Sequence, residues 1–140
     1  MIYLNKDNLK SHAFERVIDE SAKDFEQALD QCEAEHIAMM KSLLGSYYDV
    51  EAIFDETNPI KNAYLERILT FLVLWDIQHR NAYRKLSNVS EKQKEWADKE
   101  LDKLATGRLA LNDLPPKSTD GTTSRSKLLY GNLSNPDFYI

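Results

Sequence analysis

The sequence predicts an all-α fold: a small antiparallel bundle of three main helices, with short N-terminal helical turns before it and an extended C-terminal arm after it. Three observations carry that prediction. Apolar residues recur at spacings of three and four over long stretches, which is the period of a helix face. Residues that start or stop helices stand between those stretches: Asn5, Asn58-Pro59, Ser90 and Gly107. Finally, the stretch from Pro115 to Ile140 (PPKSTDGTTSRSKLLYGNLSNPDFYI) is rich in Ser, Thr, Asn, Gly and Pro. Its composition buries too little surface to offset the entropy of ordering it on its own. Two parts follow: a helical domain over residues 1–114 and an arm over residues 115–140.

Tyr3-Leu4 is a short apolar start. Asn5 is a good N-cap for one or two turns over Lys6 to Lys10, with Leu9 facing inward. Phe14, Val17 and Ile18 suggest a second short turn. Asp19 or Ser21 then caps the first long helix, whose acidic first turn suits the helix dipole. Its stripe reads Phe25, Ala28, Leu29, Cys32, His36, Met39, Met40, Leu43 and Tyr47. The helix is expected over 21–48, about 40 Å at a rise of about 1.5 Å per residue, with Gly45 able to end it early. A loop over Asp49 to Asn58 offers Val50, Ile53 and Phe54 to the core.

Asn58-Pro59 reads as the start of the second long helix, because proline at the first helical position loses no needed donor. The stripe Ile60, Tyr64, Leu65, Ile68, Leu72, Trp75 and His79 is widened by Phe71, Val73 and Leu74 until the helix is apolar nearly all round. Such a helix is central, or half-covered by a neighbour. Asn88 to Ser90 form a turn, and Ser90 with Gln93 reads as a capping box. The third helix puts Trp96, Ala97, Leu101, Leu104 and Ala105 on one face. Gly107 is its C-terminal stop. Arg108 to Leu114 alternates, with Leu109 and Leu111 on one side, as a short extended segment crossing the bundle would.

Composition narrows the function classes. The chain has 140 residues, 42% of them hydrophobic. Its longest apolar run, Ile68 to Trp75, is broken by Thr70 and falls short of the roughly 18 residues a membrane span needs, so no membrane role is expected. The start MIYLNKDNLK lacks a signal-peptide pattern. The single cysteine, Cys32, excludes an internal disulfide, fits a reducing compartment and reads as a small buried hydrophobe. The net charge of −5 is unevenly spread. Residues 1–58 hold 13 acids against 5 bases, residues 59–114 hold 8 against 10, and the arm holds 2 against 3. That polarity disfavours nucleic acid as the main partner. It suits packing of identical subunits, acidic face against basic face, in a heterologous ring.

No catalytic signature is present: no phosphate-binding glycine loop, no Cys-x-x-Cys pair and no Gly-x-Ser-x-Gly elbow. The sharpest enzyme-like signal is a pair of acid-x-x-His steps, Glu33 to His36 and Asp76 to His79. Such steps on facing helices resemble part of a carboxylate and histidine metal site, but bridging carboxylates from two further helices are also needed. A metal-binding bundle is therefore the alternative reading, and no cofactor is expected. A small helical DNA-binding adaptor is a second alternative, resting only on the Glu91-Lys92-Gln93-Lys94 start of the third helix. Arg80, Arg84 and Lys85 form a basic step where the dipole of the second long helix favours cations. Their functional reading is contact with an acidic neighbour or with DNA in a channel.

In the arm, Leu128, Leu129 and Tyr130 form one apolar cluster and Phe138, Tyr139 and Ile140 another. Aromatic anchors commonly dominate interfaces. These six are expected to bind a partner protein, with Arg125 and Lys127 orienting the arm on acidic surface.

The order of these pieces resembles the head–tail connector, or head-completion, proteins of tailed bacteriophages, most closely the Mu-like branch. The resemblance lies in Met1-Ile2-Tyr3-Leu4 with the Asp7-Asn8-Leu9 turn, in the Asn-Pro-started helix rich in Leu and aromatics, and in the closing phrase Leu104-Ala105-Thr106-Gly107-Arg108-Leu109-Ala110-Leu111. It covers residues 1–114. It implies a structural, non-enzymatic virion protein in the phage neck, assembled in the bacterial host cytoplasm. Proteins of this kind form rings, commonly of twelve copies, that join the portal to the tail or to a second neck protein. DNA passing through the channel is an implied non-specific contact.

Overall fold

A computed structural model describes residues 1–12, 25–80 and 88–118. Among them lie five helices: α1 (Lys6–Lys10), α2 (Phe25–Leu44), α3 (Val50–Ile53), α4 (Ala63–His79) and α5 (Asn88–Ala105). The fold is all-α, and α2, α4 and α5 pack on one another as its three main members. The turn expected over Phe14 to Ile18 and the cap expected at Asp19 or Ser21 lie outside the described residues.

The central helix is α4. Leu65, Ile68, Leu69, Thr70, Phe71, Leu72, Val73, Leu74 and Ile77 are all buried, so it is apolar on nearly every side. It touches α1, α2 and α5. Each such side chain removed from water contributes about 1.5–3 kcal/mol before entropy is counted. Its seam with α5 is aromatic. The Trp96 ring meets Tyr64 at 5.8 Å and Phe71 at 5.5 Å, both edge-on. The Arg67 guanidinium lies 4.9 Å from the Trp96 ring centre. Tyr64 pairs with Glu100 at one end of this seam and Gln78 with Ser90 at the other, so α4 and α5 run antiparallel.

The helix boundaries differ from the sequence reading at two places. Pro59 does not open α4. The Asp55 carboxylate accepts the N–H groups of Thr57 (2.8 Å) and Asn58 (2.7 Å), and Ile60 N–H reaches the Ile53 carbonyl (3.1 Å). Those residues are committed to a turn, which is also why the Asp55 carboxyl lies below its ordinary range, held by Asn58 first and Thr57 second. Asn62 is the cap instead: its side-chain oxygen accepts from Tyr64 N–H (2.9 Å) and Leu65 N–H (3.0 Å). Ser90 is not a cap either. It is the third residue of α5, buried, and its hydroxyl donates to the Gln78 side chain at 2.5 Å. α2 stops at Leu44, the early end that Gly45 allowed. A side chain at Gly45 would place its Cβ 2.8 Å from the Lys41 carbonyl oxygen.

The face that α2 buries also differs. Ala28, Leu29, Glu33, Ile37, Met40 and Leu44 point inward, followed by Tyr48. Met39, Leu43 and Tyr47, expected in the core, are exposed. The loop after α2 contains the short helix α3, capped by the Asp49 side chain (Ala52 N–H, 3.2 Å), and buries Ile53 and Phe54.

Gly107 ends α5 with φ +72°, a left-handed conformation. Its N–H bonds the Leu104 carbonyl (3.2 Å) and Arg108 N–H bonds that of Lys103 (2.9 Å). This pairing is the Schellman motif. A Cβ at Gly107 would also sit 3.2 Å from the Tyr47 ring. We expect Gly107→Ala to lower stability by about 1–2 kcal/mol, the cost of a left-handed alanine. Gly107→Asn should cost less, because asparagine tolerates that conformation while presenting the same Cβ. Urea unfolding of the two variants separates backbone strain from crowding.

Candidate functional site

The N-terminus is tied to α2 by the Met1 ammonium on Asp30, by Lys6 on Glu26 and, inside the fold, by one buried carboxylate. Glu33 accepts N–H bonds from Ile2 (2.5 Å), Tyr3 (3.1 Å) and Leu4 (2.5 Å). Tyr3 in turn is fully buried. Its hydroxyl donates to the Ile60 carbonyl (3.0 Å) and accepts Asn62 N–H (2.9 Å). The Asn62 amide reaches the Asp113 carboxylate at 2.5 Å. Residues 3, 62 and 113 thus meet at the start of α4. Burial pushes the Tyr3 hydroxyl up to about 12, opposed by the Asn62 bond.

This arrangement accounts for one member of the metal-site alternative. Glu33 is committed to backbone amides. His36 Nε2 lies 2.6 Å from the Asp76 carboxylate, half-buried between α2 and α4. His79 is exposed at the end of α4, with Nδ1 3.3 Å from the Trp75 carbonyl. Among the described residues, no three His, Cys, Asp or Glu side chains are grouped to hold a metal ion. Cys32 stands one turn before His36, partly exposed. Its thiol is pushed up by burial first and by Asp76 and Glu35 next. A nucleophilic cysteine needs the opposite shift, so Cys32 stands beside the His36–Asp76 contact as a thiol held in its protonated form.

Of the basic step, Arg80 is exposed and caps α4, its N–H bonded to the Asp76 carbonyl (3.1 Å). Arg84 and Lys85 lie outside the described residues. So do the expected arm residues Arg125, Lys127, Leu128, Leu129, Tyr130, Phe138, Tyr139 and Ile140.

What remains is a surface. Met39, Leu43 and Tyr47 are three of the six large apolar side chains exposed among the described residues, and they fall at i, i+4 and i+8. Met39 and Leu43 form a stripe along the outside of α2, and Tyr47 stands in the turn just past its end. At Tyr47 the stripe runs into a hollow of about 300 Å³ walled by Tyr48, Leu104, Gly107, Leu109, Leu111 and Leu114. The start of the expected arm is fastened at the same spot. Asp49 N–H bonds the Pro115 carbonyl (3.0 Å), and Lys117 N–H bonds the Tyr47 carbonyl (3.0 Å). Tyr48 and Pro116 form an antiparallel bridge. The Tyr48 hydroxyl also accepts Leu111 N–H at 2.8 Å.

The fold and this surface define a small all-α bundle with an apolar stripe beside its C-terminal exit. Comparisons with protein-family models, with curated proteins and with solved structures find no match. Among the described residues no helix is long and apolar enough to cross a membrane.

Proposed function

We propose that this protein is a structural connector that assembles into a ring between the portal of a phage capsid and its tail. The role requires no catalysis and no cofactor. The observation that carries the reading is the fastened exit of the chain. A bundle with its own core holds Pro115 to Lys117 in a set direction at an exposed apolar stripe, and beyond that point the sequence supplies two apolar clusters on a polar tether. Support also comes from the acidic residues 1–58, which complement the basic residues of the arm. Ring closure makes each later contact intramolecular, so weak single contacts suffice.

The test is a chain ending at Ser118, which keeps the Lys117 to Tyr47 bond and removes the rest of the arm. It should fold, with helical circular dichroism and a cooperative unfolding transition like those of the full chain. The full chain should add a ring to portal-bearing particles in electron micrographs, and the shortened chain should not. Equal decoration by both, or by neither, would overturn the proposal.

A further inference from the structure

We propose that, in the free protein, the stripe Met39–Leu43–Tyr47 and its adjoining hollow are the docking site of the chain's own C-terminal segment, through Leu128, Leu129 and Tyr130. The arm begins at the stripe. Pro115 lies opposite Asp49 and Lys117 opposite Tyr47. The last described bond of the chain, Lys117 N–H to the Tyr47 carbonyl, lies beside Tyr47, a member of the stripe. The bridge therefore starts the arm next to the stripe.

The arm also has the reach. Met39 lies about 6 Å along the helix from Leu43, at about 1.5 Å per residue, and Tyr47 follows in the turn just past the helix end. The ten steps from Ser118 to Leu128 span up to about 33 Å when extended. The surplus, with Gly121 in it, lets the first cluster turn back onto the stripe. Closing so short a loop costs little more than closing a shorter one, because the cost grows only with the logarithm of its length.

The chemistry fits as well. Three exposed apolar side chains at helical spacing, beside an apolar hollow, match two leucines and a tyrosine. Glu35 is exposed one turn before Met39 and offers a negative partner to Arg125 or Lys127. A second copy would have to bring the same segment from outside, whereas the tether keeps it beside the stripe at high effective concentration. Occupying its own site holds the segment back until a neighbour competes for it. This contact is a property of the isolated protein and does not rest on the phage reading.

The test uses the methyl resonance of Met39, one of three methionines in the chain, with buried Met40 as the internal control. We expect the Met39 signal of the full chain to differ from that of the chain ending at Ser118, while Met40 stays in place. The difference should persist unchanged on dilution, as an intramolecular contact requires. Leu129→Asp in the full chain should move Met39 to its position in the shortened chain. No difference at Met39 would overturn the inference, as would a difference that fades on dilution, which marks a second copy as the occupant. Binding to portal-bearing particles is read separately, so failure here leaves the connector proposal standing, and the reverse.

Discussion

Replacing Glu33 with alanine should lower the stability of the protein by about 3–5 kcal/mol, read from urea unfolding followed by circular dichroism. One carboxylate, 1% exposed, accepts the N–H groups of Ile2, Tyr3 and Leu4. Hydrogen bonds to an ionised acceptor are stronger than neutral ones. Each buried amide left without a partner costs about 1–3 kcal/mol. Glu33→Gln tests the charge separately. A glutamine keeps one acceptor oxygen but turns an amino group toward N–H donors, so it should recover only part of the loss. Amide hydrogens of Tyr3 and Leu4 should exchange faster in both variants. Stability within about 0.5 kcal/mol of the parent, as at an ordinary surface site, would show that the carboxylate does not hold the N-terminus.

Tyr3→Phe should cost about 1–3 kcal/mol, since it strands the Ile60 carbonyl and the Asn62 N–H at the start of α4. It should also change the response to alkali. The folded Tyr3 hydroxyl is raised from 10.0 to about 12, chiefly by burial. Between those values the unfolded chain has released the proton and the folded chain has kept it. The unfolded state then binds fewer protons, so stability is full below about pH 10 and falls as the pH rises toward 12. Tyr64 is raised to about 12 as well, by burial first and by its bond to Glu100 next, and it contributes in the same window. Tyr3→Phe should therefore flatten the alkaline loss without abolishing it. An identical pH dependence in parent and variant would contradict the assignment.

The number and order of the main helices were legible because their signals are local. The spacing of three and four, the Asn5 cap with Leu9 inward, and glycine at position 107 each act within one or two turns. The apolar girth of α4 announced its central place. Register was less legible. In α2, from residue 28 on, the sequence offers apolar residues at 28, 29, 32, 34, 37, 38, 39, 40, 43 and 44, a band wider than one face. Nothing local says which edge of the band is covered. The choice is made by Glu33, a residue that composition assigns to solvent and that the N-terminal backbone draws inside. Asn58 and Asn62 are both cap-forming residues; the Asp55 turn takes Asn58, while Tyr3 and Asp113, far away in sequence, hold Asn62 in place. Ser90 lost its expected role to Gln78 across the α4–α5 seam. At Glu33 and Ser90 a partner distant along the chain outweighed a short-range preference.

The bridge between Tyr48 and Pro116 also sets how the body would bear a mechanical load. A pull on the chain beyond Ser118, directed along the paired segments, would strain the Asp49–Pro115 and Lys117–Tyr47 bonds together, in shear. A pull across them would open the bonds in turn, beginning with Lys117, as a zipper does. The same tether is then stiff toward tension from one quarter and yielding toward tension from another, and the angle of approach of whatever tugs on it decides which response it meets.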